Sequence, residues 1–324
     1  MKIDLSPLRL TNTDKTQYSI ITYDCSKLSP NLQYRINGNG DWLIWERENN
    51  TNLFRGILLR PRDYVEIKAI GINTRVSETN EEGNSCFRSL GESKSIFASG
   101  NVMSLCYENL NLENTLTIPD SYCFCSLFED MHNLITPPSL PAVNLKHGCY
   151  RRMFNECRNL NIAPELPAKK LKMFCYSQMF SGCSSLKIPP KLPAKQLAEY
   201  CYANMFICSG IEVPPELPAN ILKAGCYEYM FSCSDLTELP DLNAVRLAEE
   251  CYFGMFVGCN KLSDVAILEA PYLVRDCYSF MFSESSITKV ICYASISEPD
   301  SANSWLPFIQ QELFIYYREH LRKY

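Results

Sequence analysis

Histidine is nearly missing from this chain. His132, His147 and His320 are the only three in 324 residues, and no Cys-x-x-Cys pair occurs. A zinc site therefore has little to draw on. No glycine pattern of the kind that cradles a phosphate or a dinucleotide follows a strand. No run approaches the roughly 18 apolar residues of a membrane-spanning helix. The net charge is −5, so no basic excess favours nucleic acid. No paired carboxylates and no Ser/His/Asp or Cys/His grouping present themselves. The expectation is a protein that is not an enzyme, with no catalytic residue, cofactor or metal, no nucleic-acid partner and no membrane insertion. The stretch "MKIDLSPLRLTNTDKTQ" has neither an apolar h-region nor a small-residue cleavage site. A cytoplasmic or virion-associated location is expected, with the cell surface open if a leader was removed.

Cysteine, by contrast, is abundant: seventeen residues. Their placement follows a repeat. Cys149-Tyr150, Cys175-Tyr176, Cys201-Tyr202, Cys226-Tyr227, Cys251-Tyr252 and Cys277-Tyr278 recur every 25 or 26 residues, and Cys123-Phe124 is a degenerate earlier copy. Met-Phe follows four residues after each of those six cysteines, as in Met179-Phe180 and Met205-Phe206. A second cysteine comes next: Cys157, Cys183, Cys208, Cys233, Cys259. An apolar-Pro segment such as Leu186-Lys187-Ile188-Pro189-Pro190 leads to Leu-Pro-Ala or its relic, and then to a leucine. Self-similarity at this period predicts stacked units, because one unit cannot bury its own apolar face.

Within a unit, "SLKIPP" alternates and predicts a short strand. "KQLAEYCYANMF" spaces Leu197, Cys201 and Met205 four apart, which predicts a short helix or helical turn with that stripe inward. The cysteines are read first as buried free thiols filling one slot in every unit. Disulfides are the alternative, although in-register ladders point their Cβ vectors in parallel, which suits that bond badly. A catalytic cysteine is disfavoured, since equivalent copies cannot each be the single nucleophile.

The pattern CYxxMFxxCxxLxxPPxLPAxxL resembles the BspA-like leucine-rich repeats of gut Bacteroidales and their phages, over residues 99–305. "ASGNVMSLCYENL" and "SSITKVICYASISEPDSANSWL" are similar to the segments that precede and close such arrays. The resemblance implies a parallel β-solenoid used in adhesion or protein recognition. This chain departs from the pattern at Cys208 and Cys233, which come one residue early and predict units a residue short.

The fold expected is thus mostly β with short helices. A leucine-rich-repeat solenoid of about seven 25–26-residue turns would be preceded by a small all-β domain and closed by a C-terminal capping helix. The divisions expected are a β-sandwich-like domain over 1–75, a linker over 76–98, a cap over 99–122, repeats over 123–301 and the capping helix over 302–324. "LQYRINGNGDWLIWE" reads as a hairpin about an Asn-Gly-Asn-Gly turn. Trp42 and Trp45 in it are either a glycan platform or ordinary core aromatics.

Function is expected at the variable polar positions of the repeats: Lys187, Lys191, Glu212, Glu216, Glu238, Asp241 and Asp264. Their other reading is a face kept soluble by charge. The function expected is a binding or adhesion module for a protein or cell-surface ligand, as a phage virion or bacterial surface component. An intracellular scaffold is the alternative, and an enzyme with its site in the N-terminal β-domain the remote one. Oligomeric state is left open.

Overall fold

The computed structural model describes residues 3–24, 30–48, 53–77, 86–263, 265–294 and 314–316. The fold is mostly β. Helix among these residues is limited to a 3-10 turn, Val102–Leu105, and one α-helical turn, α1 (Leu112–Thr115).

The N-terminal strands follow the alternation of their sequences. In β1 (Leu8–Asn12) Leu8 and Leu10 are buried while Arg9 and Thr11 reach solvent, the period-two pattern of a strand with one wet face. The others are β2 (Ser19–Tyr23), β3 (Leu32–Ile36), β4 (Leu43–Ile44), β5 (Ile57–Leu59), β6 (Tyr64–Ala69), β7 (Phe87–Gly91) and β8 (Ile96–Ser99). With β9 (Leu134–Thr136) they make two sheets, ordered β4-β3-β6-β1-β8-β9 and β5-β2-β7. The expected hairpin is β3–β4, with Gln33 opposite Ile44. Asn37 and Gly38 turn its corner at φ 53° and 65°, the left-handed pair of a type I′ turn.

Of the linker expected over 76–98, the described residues from 86 onward carry two strands. β7 pairs with β2, and β8 lies between β1 and β9. These strands are short, and their partners lie far away in sequence, so local polarity misread them. The segment also joins the sheets to the first repeat unit. Val76 N–H donates to Cys123 O at 3.3 Å and Phe87 N–H to Leu127 O at 2.9 Å. β8 pairs in parallel with β9, which belongs to that unit.

The Cys-Tyr-x-x-Met-Phe stretch is not helical either. Every fourth residue is left-handed: Phe174, Gln178 and Gly182 at φ 55°, 57° and 71° in one unit, Tyr200, Asn204 and Cys208 in the next. The chain is a run of tight turns. Alternate amides close them locally, as in Met179 N–H to Tyr176 O at 3.2 Å. The amides between donate to the next unit: Tyr176 to Cys201 O, Gln178 to Ala203 O and Phe180 to Met205 O, at 2.9–3.0 Å. A helix would spend all these donors on itself and leave neighbouring units unbonded. A four-residue turn and a helix face share the same i, i+4, i+8 spacing, which is why the sequence suggested a helix. The expected stripe does face inward: Leu197, Cys201 and Met205 are buried.

Identical side chains stack between units. Phe128, Phe154, Phe180, Phe206, Phe231, Phe256 and Phe282 form one ladder at 5.6–5.8 Å centroid spacing. Phe87 lies on its end, 5.3 Å from Phe128. Tyr150, Tyr176, Tyr202, Tyr227, Tyr252 and Tyr278 form a second. The buried second-cysteine slot is held by Cys157, Cys183 and Cys259, and by Ser209 and Ser234 where the cysteine comes early. Cys208 and Cys233 sit instead, exposed, in the left-handed slot that Glu156 and Gly182 hold elsewhere. The missing residue lies after the slot, since Ile211 follows Ser209 by two positions while Leu186 follows Cys183 by three.

The strand expected in every unit forms at the two ends of the described stack: at β9, just ahead of Pro137, where β8 supplies a partner, and in the last units. β10 (Val265–Leu268) and β11 (Lys289–Cys292) are proline-free and pair in parallel. In the middle units prolines 189, 190, 214 and 215 remove N–H donors. There the ladder shrinks to single bonds such as Glu212 N–H to Lys187 O at 3.3 Å. No closed or continuous sheet runs through the described units. Of the capping helix expected over 302–324, only Phe314–Tyr316 is described; it is a strand, β12, parallel to β11. The remainder of that expectation, with Trp305, lies outside the described residues.

Candidate partner-binding face

The proline-rich edges of the middle units form a trough. Its floor and walls come from the Pro-Pro-Glu-Leu-Pro stretch of one unit and the Glu-Leu-Pro-Asp stretch of the next. Pro214, Pro215, Glu216, Pro218, Glu238, Pro240, Asp241 and Asn243 line about 380 Å³. A second trough of about 490 Å³ shares Pro240, Asp241 and Asn243 and continues to Val265, Ile267 and Glu269. Proline fixes φ and offers no N–H, so these edges are stiff and cannot pair as strands. Among the described residues none of Glu216, Glu238, Asp241 and Glu269 has an ion-pair partner. The four carboxylates face solvent with nothing to neutralise them.

An apolar ladder occupies the preceding units and ends next to the trough at Val213. Ile162, Ile188 and Val213 hold equivalent positions, with Ile188 and Val213 next to proline and Ile162 separated from Pro164 by Ala163, and are 57%, 75% and 49% exposed. The alternation of "SLKIPP" predicts Ile188 inward. Instead Leu186 and Pro190 are the buried positions, and Lys187 and Ile188 both point out.

The sequence-predicted site residues divide into two sets. Glu216, Glu238 and Asp241 come together in the trough. Lys187 and Glu212 are tied up in a chain of ion pairs across four units: Lys187 Nζ to Glu212 Oε1 at 2.9 Å, Lys187 to Asp235 Oδ2 at 3.2 Å, and Lys261 to Asp235 Oδ1 at 2.8 Å. Hydrogen bonds from Lys261 and then Lys187 hold the Asp235 carboxyl below its ordinary range, and Glu212 raises the Lys187 ammonium. These exposed pairs order the surface and contribute little to stability. Lys191 is exposed and outside the trough. Asp264 lies outside the described residues. Sequence reasoning missed Glu269 and Asp235. Glu269 had a signal: it takes the place in its unit that proline holds in Leu192-Pro193-Ala194.

The glycan platform does not form. Trp45 is 3% exposed, packs against Tyr23, Phe54 and Phe87, and donates Nε1–H to Arg55 O at 2.8 Å. Trp42 is half-buried, and its ring carries the Arg35 guanidinium at 4.7 Å and the Lys68 ammonium at 4.6 Å. With Trp45 enclosed in the core, the two rings do not make a shared exposed surface.

Among the described residues no helix is long and apolar enough to cross a membrane. Comparison with protein-family models, with curated proteins and with solved structures finds no match to this chain.

Proposed function

We propose that this chain is a non-catalytic binding module: a leucine-rich-repeat solenoid of the BspA-like kind whose proline-edged trough takes an extended, basic segment of a protein partner. The observation that carries the reading is the row of carboxylates without counter-charges, Glu216, Glu238, Asp241 and Glu269, on a rigid edge. The exposed ladder Ile162, Ile188 and Val213, which ends next to the trough, adds apolar contact to the charge, the combination of an interface core and its polar rim. The repeat pattern supports the same reading, since arrays it resembles serve in adhesion and protein recognition.

The test is binding of lysine- and arginine-rich peptides to the full chain, measured at low and physiological salt. Glu216→Lys/Glu238→Lys/Asp241→Lys should weaken binding by about tenfold or more, and salt should weaken the wild type in the same direction. Equal binding by a variant that melts like the wild type removes this face from consideration.

A further inference from the structure

The two exposed cysteines stand apart from the trough reading and do not depend on it. Cys208 N–H donates to Ser232 O at 2.8 Å and Cys233 N–H to Val257 O at 2.7 Å, so the residues sit in register one unit apart. The neighbouring Phe206 and Phe231 rings put that spacing at 5.6 Å, inside the Cα separation of roughly 4.4–6.8 Å that a disulfide needs. Parallel ladder side chains suit the bond badly, but this slot tilts its side chains over the following unit. A Cβ on Gly182 would lie 2.4 Å from Glu156 Oε1, and one on Gly258 3.1 Å from Cys233 Sγ. The Cys208 thiol therefore leans toward Cys233, whose exposed thiol can rotate back to meet it. Glycine holds the slot on either side, at 182 and 258, and the Glu156 carboxylate reaches over Gly182 toward Cys208. The Cys208 thiol is pushed up, first by partial burial and then by Cys233 beside it.

Every other described cysteine is buried. Cys106 and Cys123 have sulfurs 3.4 Å apart, yet both are fully enclosed. Burial pushes the Cys149 and Cys201 thiols up to about 12, which leaves almost no thiolate to react.

We propose that Cys208 and Cys233 form a thiol–disulfide exchange site, oxidised by low-molecular-weight disulfides such as glutathione disulfide to a staple between two units. One cysteine loses its proton and attacks a glutathione sulfur. The glutathione S–S bond breaks, one glutathione leaves with the proton, and a mixed disulfide remains. The second cysteine, deprotonated in turn, attacks the protein sulfur of that mixed disulfide and expels the other glutathione. The two cysteines lose two electrons and two protons, and the glutathione disulfide gains them. The units joined, 201–225 and 226–250, are those that line the first trough, so the staple fixes the spacing of Glu216 and Asp241.

The experiment treats the native full chain with glutathione disulfide, blocks remaining thiols under denaturing conditions and maps peptides by mass spectrometry. The expected result is loss of both thiols and a link between the peptides carrying Cys208 and Cys233, reversed by reduced glutathione. Cys208→Ser should abolish the link and leave Cys233 as the mixed disulfide. Free thiols at both positions, separate mixed disulfides on both, or a link between buried cysteines such as Cys201 and Cys226 instead would each overturn the proposal.

Discussion

Trp45 meets Tyr23, Phe54 and Phe87 with ring planes at 43°, 62° and 35°, whereas Phe180 lies between Phe154 and Phe206 with planes at 7° and 6°. Trp45, in the N-terminal sheets, has ring neighbours of other kinds. Phe180, in the repeat stack, has copies of itself on both sides. Unlike neighbours fix one register, because no other arrangement fills the same space. Like neighbours do not, since a ladder slipped by one whole unit packs almost as well. The junction resolves this. Phe87 belongs to β7 and also lies on the end of the phenylalanine ladder, so the sheets act as the unit before the first.

The largest expected effect separates the regions by pH. Twelve buried thiols, all in or next to the repeats, have ionisation pushed up, in each case first by burial. Unfolded thiols ionise near 8.5. Stability from these groups is complete below that value and falls as pH rises toward about 12, the value reached by Cys149, Cys201 and Cys277. Thiols whose ionisation is pushed far up each lose on the order of 1 kcal/mol per pH unit, so together they remove on the order of 10 kcal/mol over about one unit. The urea midpoint should collapse between pH 8 and pH 10; a flat profile would show that the thiols are not buried. The N-terminal sheets answer to acid instead. Burial pushes the Glu66 carboxyl up, but hydrogen bonds and charge from Arg9 and Arg35 outweigh it and hold it low. Its contribution is present at neutral pH and lost only as pH falls through that lowered value.

Next come aromatic truncations. Phe180→Ala and Trp45→Ala should each cost about 3–5 kcal/mol, read from chemical denaturation. Phe87→Ala should cost a similar amount and also split one transition into two, because it removes the ring shared by both regions. A single sharp transition in Phe87→Ala would mean that other contacts carry the coupling.

Glycine substitutions give the smallest contrast. Gly40 has φ +78° with nothing within 4 Å of an added Cβ, so Gly40→Ala should cost about 1–2 kcal/mol of backbone strain alone. Gly225 has φ +56°, and its Cβ would fall 2.1 Å from the Tyr200 ring. Gly225→Ala should cost about 2–4 kcal/mol, and Tyr200→Ala in the same chain should return part of it. Additive costs in that double-mutant cycle would refute the close approach.

Much of this was legible in the sequence. The 25–26-residue period, the inward stripe of leucine, cysteine and methionine, and the β3–β4 hairpin all follow from side-chain chemistry that repeats or alternates locally. What was hidden depends on partners or on backbone. Four-residue spacing does not say whether Met179 closes a helix or a turn, since only the left-handed φ of Gln178 distinguishes them. The short strands β7 and β8 need β2 and β1 to exist at all. Of the site, Glu216, Glu238 and Asp241 were visible as variable acids. That Glu212 would be claimed by Lys187 required knowing which residues meet across units.

The account rests most on the sheets and the repeats sharing one core. The chain holds three tryptophans, and Trp305→Phe leaves Trp42 and Trp45 as the only indole reporters, both in the N-terminal sheets. Tryptophan fluorescence should be followed through a urea titration alongside pulsed alkylation of Cys175 and Cys201, which are fully buried in the stack. Coincident midpoints are predicted. If the tryptophans report unfolding while those thiols stay protected, or the thiols open first, the two regions are separate and the account fails.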